Sequence, residues 1–413
     1  MDCDIFVLGA GIIGVCTAIH LQQRGLRVCL IDRALPGSGT SFGNAGLIER
    51  SSVVPYAFPR QLGKVLRYAT NTQPDVIYQV AALPRLAGWL LRYWQNSAPA
   101  PLQTATDAML PLIERSVLEH DHLVALAGLE ALISSNGWIE IFRDPVALAD
   151  AVTQAKDLER LCVSHRFLDG NTLRAQQPGL TEHAVGGIHW TDPKTVRDPG
   201  ALVRGYAGLL QKMGGQLVLG DALSLTQHQG HWQVITHEGT LSARQAVITL
   251  GADAGSVYEK LGYRIPMAIK RGYHLQFKGH DDLPLTYSLC DTAAGFVIAP
   301  MSGGIRLTTG VEFATAHAPM RNIQLRRAEK IARRIFPLGE QTAAQPWMGR
   351  RPCLPDMRPV IGPALMHPGL WFNFGHAHHG LTLGPVSGRL IAQLITGETP
   401  LANPAPYSAE RFR

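Results

Sequence analysis

The chain has 413 residues, of which 46% are hydrophobic and only 17% charged, with a formal net charge of +6. That length is too great for one small core, so two domains are expected, and the composition excludes a disordered protein. Lysines and arginines are dispersed, with no basic run interleaved with aromatics, which argues against nucleic-acid binding.

The six cysteines (Cys3, Cys16, Cys29, Cys162, Cys290 and Cys353) include no Cys-x-x-Cys pair, a pattern that fits reduced thiols. No apolar run reaches eighteen residues and the N-terminus leads straight into a strand, so neither a spanning segment nor a signal peptide is expected. A cytoplasmic protein follows as the expectation.

In chain order, Asp4–Leu8 reads as a buried parallel strand. Gly9-Ala10-Gly11-Ile12-Ile13-Gly14 follows, and Val15, Ala18, Ile19 and Leu21 then mark the buried face of a helix ending near Gly25. Val28–Ile31 forms a second strand, stopped by Asp32. Glycines at these spacings allow a tight turn, backbone approach to a pyrophosphate and close helix–strand packing. Free N–H groups of the helix attract phosphates, and Asp32 can accept bonds from a ribose while repelling a 2′-phosphate. A dinucleotide site is the stronger reading; a turn that only holds the fold together is the weaker.

From Arg33 to Leu47 the chain is rich in Gly, Ser, Thr and Asn, suited to lining a cofactor with small groups and backbone donors. Residues 55–130 read as helices broken by prolines. Within them, 76–94 is apolar, aromatic and fringed by arginines; cover for a second domain's core is favoured over a membrane interface. Residues 137–142 alternate as a strand, and 145–168 read as helical. Asp198-Pro199-Gly200 opens an amphipathic helix closed by Gly214-Gly215. A strand at 216–219, a hairpin at 222–239 and a strand at 245–250 follow, the last ending at Gly251, a second turn expected at the ligand crevice. Residues 266–313 are β-rich, 321–336 form a basic helix, and 370–374 a strand. Gly375-His376-Ala377-His378-His379-Gly380-Leu381-Thr382 then leads into a final helix.

Four motifs together carry a resemblance: Gly9-x-Gly11-x-x-Gly14 with Asp32; Gly39–Leu47; Gly349-Arg350-Arg351-Pro352 followed by Pro359–Gly362; and Gly375–Thr382. In this order they resemble the FAD-dependent D-amino-acid oxidase and dehydrogenase family, which includes glycine oxidase, and most of all its bacterial D-amino-acid dehydrogenases. The resemblance implies an α/β fold: a discontinuous, Rossmann-like FAD-binding domain (1–50, 145–255 and 345–413) and an α+β substrate domain with a mixed or antiparallel sheet (51–144 and 256–344).

It also implies non-covalent FAD. Gly9, Gly11 and Gly14, with Ile12 and Ile13, would hold the pyrophosphate, and Asp32 the adenosine ribose, next to Arg33. Ser41, Asn44, Ala45, Gly46 and Leu47 would lie near the ribityl chain and ring. Gly380, Leu381 and Thr382 would meet the pyrimidine end, with Gly251, Gly375 and His376 completing the cofactor set. Cys353 lacks the following Tyr of covalent flavin attachment.

Arg351 matches the arginine that grips the substrate carboxylate, with its neighbour Arg350 as the competing assignment; Tyr273, Tyr56 and His378 are further catalytic candidates. No metal is expected at His376, His378 and His379, since no partnered acid or cysteine cluster lies near in sequence. The activity implied is oxidative deamination of D-amino acids by hydride transfer to flavin. Alternatives are a cyclic or N-substituted substrate such as D-proline, glycine or sarcosine, or a flavin subunit of a larger complex. The partners implied are an amino-acid substrate and a quinone or other electron acceptor, with peripheral association at the inner membrane face as a further possibility.

Overall fold

A computed structural model describes residues 3–315 and 318–413. Its organising unit is β1 (Ile5–Leu8), α1 (Ile12–Gln22) and β2 (Val28–Asp32). All four residues of β1 are buried, which is why the run is wholly apolar rather than alternating. β1 lies between β2 and the strand Gln245–Ile248, parallel to both. The strand Gln216–His228 extends the sheet beyond β2, and Leu370–Phe374 beyond Gln245–Ile248. A hairpin to residues 231–236 and 239–243 closes one edge, and Val360–Pro363 the other, giving eight strands among the described residues.

α1 packs against the final helix, Gly380–Thr396. Small residues let the two backbones meet: a Cβ on Gly388 would sit 2.7 Å from the Cys16 carbonyl carbon, and one on Gly384 2.6 Å from Ile12 Cγ1. Asp198 caps the helix Pro199–Lys212 by accepting from Ala201 N–H at 2.8 Å, as its Asp-Pro-Gly start foretells.

A second sheet of ten strands is mixed. Its long central strand Ala268–Phe277 pairs antiparallel with Gly304–Thr309 on one side and with Trp347–Cys353 on the other. The helix Ile323–Ile335 packs Leu325, Ala328, Ala332 and Ile335 into the same buried cluster as Leu275, Phe277 and Ile298 of this sheet. A small third sheet joins β3 (Leu47–Ile48) to strands 194–196 and 133–134.

Several expectations need correction. Residues 145–168 are not one helix: the helix stops at Leu158 and His165–Asp169 is a strand. That strand and Gly186–Trp190 pair with Trp138–Phe142 in the ten-stranded sheet, as does Trp347–Cys353 with its central strand. The boundaries drawn at 145 and 345 therefore cut through that sheet. In the opposite sense, helices 99–113 and 116–127, assigned to the substrate domain, share a buried cluster with α1 and the final helix. Within 55–130 a short strand, Val76–Tyr78, interrupts the helices and pairs with Val311–Phe313. Strand pairing between distant segments decides each of these, and local periodicity carries no record of it.

Candidate functional site

The C-terminal ends of β1, β2 and the strand 245–248 open on a cavity of about 970 Å³ that runs to the ten-stranded sheet. At its near end lies the turn after β1. Gly9 has φ +105°, a value glycine adopts freely, and a Cβ on Gly14 would collide with Gly9 O. Gly9, Gly11, Ile12 and Ile13 face the cavity, while Gly14 stands behind, where the helix meets the strand. Asp32 accepts from Ala10 N–H at 2.7 Å and from Ala34 N–H at 3.0 Å, so its carboxylate organises the turn while lining the cavity. Ser41 Oγ accepts from Ile12 N–H at 3.1 Å.

Arg33 and Arg350 converge on Asp253, at 3.3 Å and 2.6 Å, beside Gly251. Thus adjacent arginines part company. Arg350 is engaged in an ion pair, whereas Arg351 donates only to the backbone carbonyls of Gly310 (3.0 Å) and Thr309 (3.2 Å). Among the described residues Arg351 has no carboxylate within ion-pair distance. Gly272, across the ladder, makes room for it: a Cβ there would lie 2.5 Å from Arg351 Nη2. Desolvation presses the Arg351 pKa below its usual value, against the opposing fields of Cys353, Tyr56 and Glu49.

Ser41, Asn44, Ala45 and Leu47 line the cavity, and Gly46 packs behind them against Val196 O. The sequence did not single out the residue that holds this loop. Arg306, almost fully buried, donates to Phe42 O at 2.9 Å and Asn44 O at 2.8 Å. At Gly43, a Cβ would collide with the Trp347 ring, which stacks on His274 at 4.9 Å.

Gly375, His376, His378, Gly380 and Leu381 form the opposite wall. Thr382 sits one layer back, where its Oγ1 accepts from Glu49 N–H at 3.1 Å and donates to Leu47 O at 3.3 Å, tying β3 to the final helix. Burial holds the imidazoles neutral, with pKa about 3 for His376, about 4 for His379 and well below normal for His378. Tyr56 packs on His378 with ring centroids 4.7 Å apart; its large exposed surface faces the cavity. Tyr273 fits less well. Its ring reaches the cavity wall, but its hydroxyl donates to the buried Glu312, which leaves it no free proton for a ligand.

Glu49 was missed entirely. It lines the cavity with Oε2 3.7 Å from His379 Nε2, and burial raises its pKa to about 7, against the Ser52 hydrogen bond and the Arg351 charge. One ligand-type atom from each of Glu49, His378 and His379 lies within 4.8 Å of the others, a grouping invisible at sequence separations of more than three hundred residues.

The residues present fit FAD. α1 and the final helix both start at this cavity with no cap from their own N-cap side chains and no acid in the first turn; Ser41 Oγ takes only the first N–H of α1. Nothing lies within 4 Å of a Cβ built on Gly380, so that N-terminus is open. Two helix ends with positive partial charge therefore face one elongated cavity, one suited to phosphates and one to an electron-rich ring edge.

Known proteins agree with this geometry. Residues 4–394 match the family described as FAD dependent oxidoreductase. The chain is 29% identical to the D-amino-acid oxidase of Bradyrhizobium diazoefficiens over 99% of this chain and 98% of that one. It is 27% identical to the D-amino acid dehydrogenase of Chromohalobacter salexigens over 99% of both. Glycine oxidase from Geobacillus kaustophilus shares the fold, with a TM-score of 0.73 at 21% identity over 98% of both chains.

Proposed function

The chain belongs to the family of FAD-dependent oxidoreductases, and from that premise we propose that it oxidises the Cα–N bond of D-amino acids as a dehydrogenase, yielding 2-oxo acids and ammonia. One observation carries this reading. Arg351 is a desolvated guanidinium facing the cavity, bonded only to two backbone carbonyls. Two parallel hydrogen bonds to a substrate carboxylate are what such a planar fork is shaped to make. The names of the relatives from Bradyrhizobium and Chromohalobacter support the D-amino-acid class.

In this reading Gly9, Gly11 and Gly14 admit the pyrophosphate to the start of α1, and Asp32 binds the adenosine ribose. Ser41, Asn44, Ala45, Gly46 and Leu47 line the ribityl chain, and Gly380, Leu381 and Thr382 hold the pyrimidine end. Bound FAD supplies the two-electron acceptor. Arg351 fixes the substrate carboxylate and so the direction of the Cα–H bond, while Tyr56 and His378 wall the site and exclude water. Orientation of this kind is where a bound, desolvated substrate gains most of its rate.

Electrons then leave to a quinone or another carrier, in our reading at an anionic membrane face. α2 (Leu62–Ala69) has no buried residue, and Leu62, Leu66, Val80, Leu91 and Trp94 are exposed around it and along α3 (Leu83–Asn96). Residues 50–106 hold Arg50, Arg60, Lys64, Arg67, Arg85 and Arg92 but a single acid, Asp75. Trp89 and Tyr93 of α3 are buried, so the apolar stretch is shared between core and surface. No helix among the described residues is long and apolar enough to cross a membrane. Co-sedimentation with anionic but not neutral vesicles is expected, abolished by Lys64→Glu with Arg67→Glu; equal recovery with both vesicle types would remove the membrane role.

The activity is tested by anaerobic absorbance of the purified flavoprotein mixed with pooled D-amino acids and, separately, pooled L-amino acids. Bleaching by the D pool alone is expected. Bleaching by the L pool alone, or by neither, would overturn the reading.

A further inference from the structure

The cavity presents two opposite charges that feel each other's field, yet among the described residues neither forms an ion pair with a charged partner. Arg351 has no carboxylate in reach among the described residues, and Glu49 has no cation. The group nearest to the Glu49 carboxyl that can carry positive charge is His379, at 3.7 Å, and burial keeps that ring neutral with a pKa of about 4. His379 Nε2 is in turn engaged with Ser52 Oγ at 2.9 Å. The Glu49 backbone is pinned by the Thr382 hydroxyl, so its side chain issues from a fixed point on the wall. A ligand that satisfies both charges carries an anion and a cation, as an amino-acid zwitterion does.

We propose that Glu49 binds the ammonium group of the substrate and takes its proton, leaving the neutral amine from which the Cα hydrogen departs. This rests on the amino-acid reading given above. An ammonium nitrogen has no lone pair, so no C=N bond can form until it loses a proton. The proton passes from –NH3⁺ to the Glu49 carboxylate, giving –NH2 and a carboxylic acid. The Cα hydrogen then leaves with its bonding pair to the bound flavin, and the nitrogen lone pair forms the C=N bond of an iminium. Water adds to that iminium and releases the 2-oxo acid and ammonium, after which Glu49 returns its proton to solvent.

The surroundings suit a proton acceptor. Burial raises Glu49 to about 7, closer to an amine than an ordinary carboxylate stands. The other titratable groups facing it are His378 and His379 ahead of the final helix, Arg351 on the strand 347–353, Tyr56 on the loop after β3, and Cys290 on the strand 288–291. The two histidines are held neutral, Cys290 is held protonated by burial, and desolvation in the cavity raises the Tyr56 hydroxyl above its usual value. Among these groups Glu49 is the one that changes charge near neutrality; Glu140, which acts on Tyr56 and Cys290 from the strand 138–142, is a second carboxyl raised by burial.

The probe is 2-aminoisobutyric acid, which keeps both charges of an amino acid but has no Cα hydrogen to lose. Its affinity for the flavoprotein is read from the perturbed flavin absorbance across pH, with wild type beside Glu49→Gln and Glu49→Asp. Flavin content per chain shows that each variant is folded and loaded. Wild type is expected to bind with constant affinity above about pH 7 and to lose about tenfold per unit below it, as Glu49 protonates. Glu49→Gln is expected to lose that plateau and to tighten about tenfold per unit as pH rises, because only the neutral amine now fits. Glu49→Asp should keep the wild-type shape. A Glu49→Gln curve that superimposes on wild type, with D-amino acids still bleaching the wild-type flavin, would overturn the role of Glu49 alone. Failure of wild type both to bind the probe and to be bleached would overturn the amino-acid reading and this inference with it.

Discussion

At the scale of single residues, Arg351 and Gly272 form one unit. Removing the guanidinium in Arg351→Ala deletes a charge-assisted pair of about 3 kcal/mol, roughly a hundredfold in KM for amino acids. Flavin content should be unchanged, because no group on the phosphate side of the cavity depends on Arg351; an unaltered KM would remove it from the site. Gly272→Ala tests the same geometry without touching charge. A methyl 2.5 Å from Nη2 must displace the fork, so KM should rise about tenfold while flavin content stays put. The Gly-x-Gly-x-x-Gly turn, Asp32 and Arg351 were legible because each is a residue type with a fixed job at a fixed spacing. Glu49, Arg306 and Gly272 were not. Their meaning comes from what lies across the cavity or the ladder, and Glu49 meets His379 only through the fold. Tyr273 misled for the same reason, since Glu312 claims its hydroxyl from a neighbouring strand.

At the scale of elements, the crossing of α1 with the final helix sets the spacing of the two helix N-termini that face the cofactor. Gly388→Ala would force a Cβ to within 2.7 Å of the Cys16 backbone, which cannot yield as a side chain would. A destabilisation of about 1–3 kcal/mol is expected, read as a lower Tm together with loss of flavin on dilution; an unchanged Tm would show that the helices slide freely. Helices with clear starts, such as the one at Asp198-Pro199-Gly200, and apolar strands such as β1 and β2 were readable from local pattern. Domain boundaries were not, because the strands 165–169, 186–190 and 347–353 reveal their sheet only through their partners.

For the whole molecule, the buried histidines predict how stability follows pH. His20 and His376 have pKa values of about 3, and His120, His274 and His379 about 4, all pushed down by burial from 6.5. Between those values and 6.5 the unfolded chain binds more protons than the native one, so stability falls as pH falls through that window. Glu49 acts in the opposite sense between 4.5 and about 7, where the native state holds the extra proton, and Glu140 and Asp75, also raised by burial, act with it, but these three carboxyls stand against seven depressed imidazoles once His189 and His378 are included. Tm should therefore drop steadily from about pH 6.5 towards pH 4; a flat profile would mean that these rings are hydrated in solution.

The order of strands in the first sheet also bears on how the protein is made. β1 precedes its partner by more than two hundred residues: Ile5 pairs with Gln245, whose strand pairs in turn with Leu370–Phe374. Until those segments emerge, one edge of an entirely apolar strand has no neighbour, and contacts at such long sequence separation form slowly. The cavity acquires its second helix end only with Gly380–Thr396. A nascent chain held short of that helix therefore carries the nucleotide turn without the second helix end of the cavity.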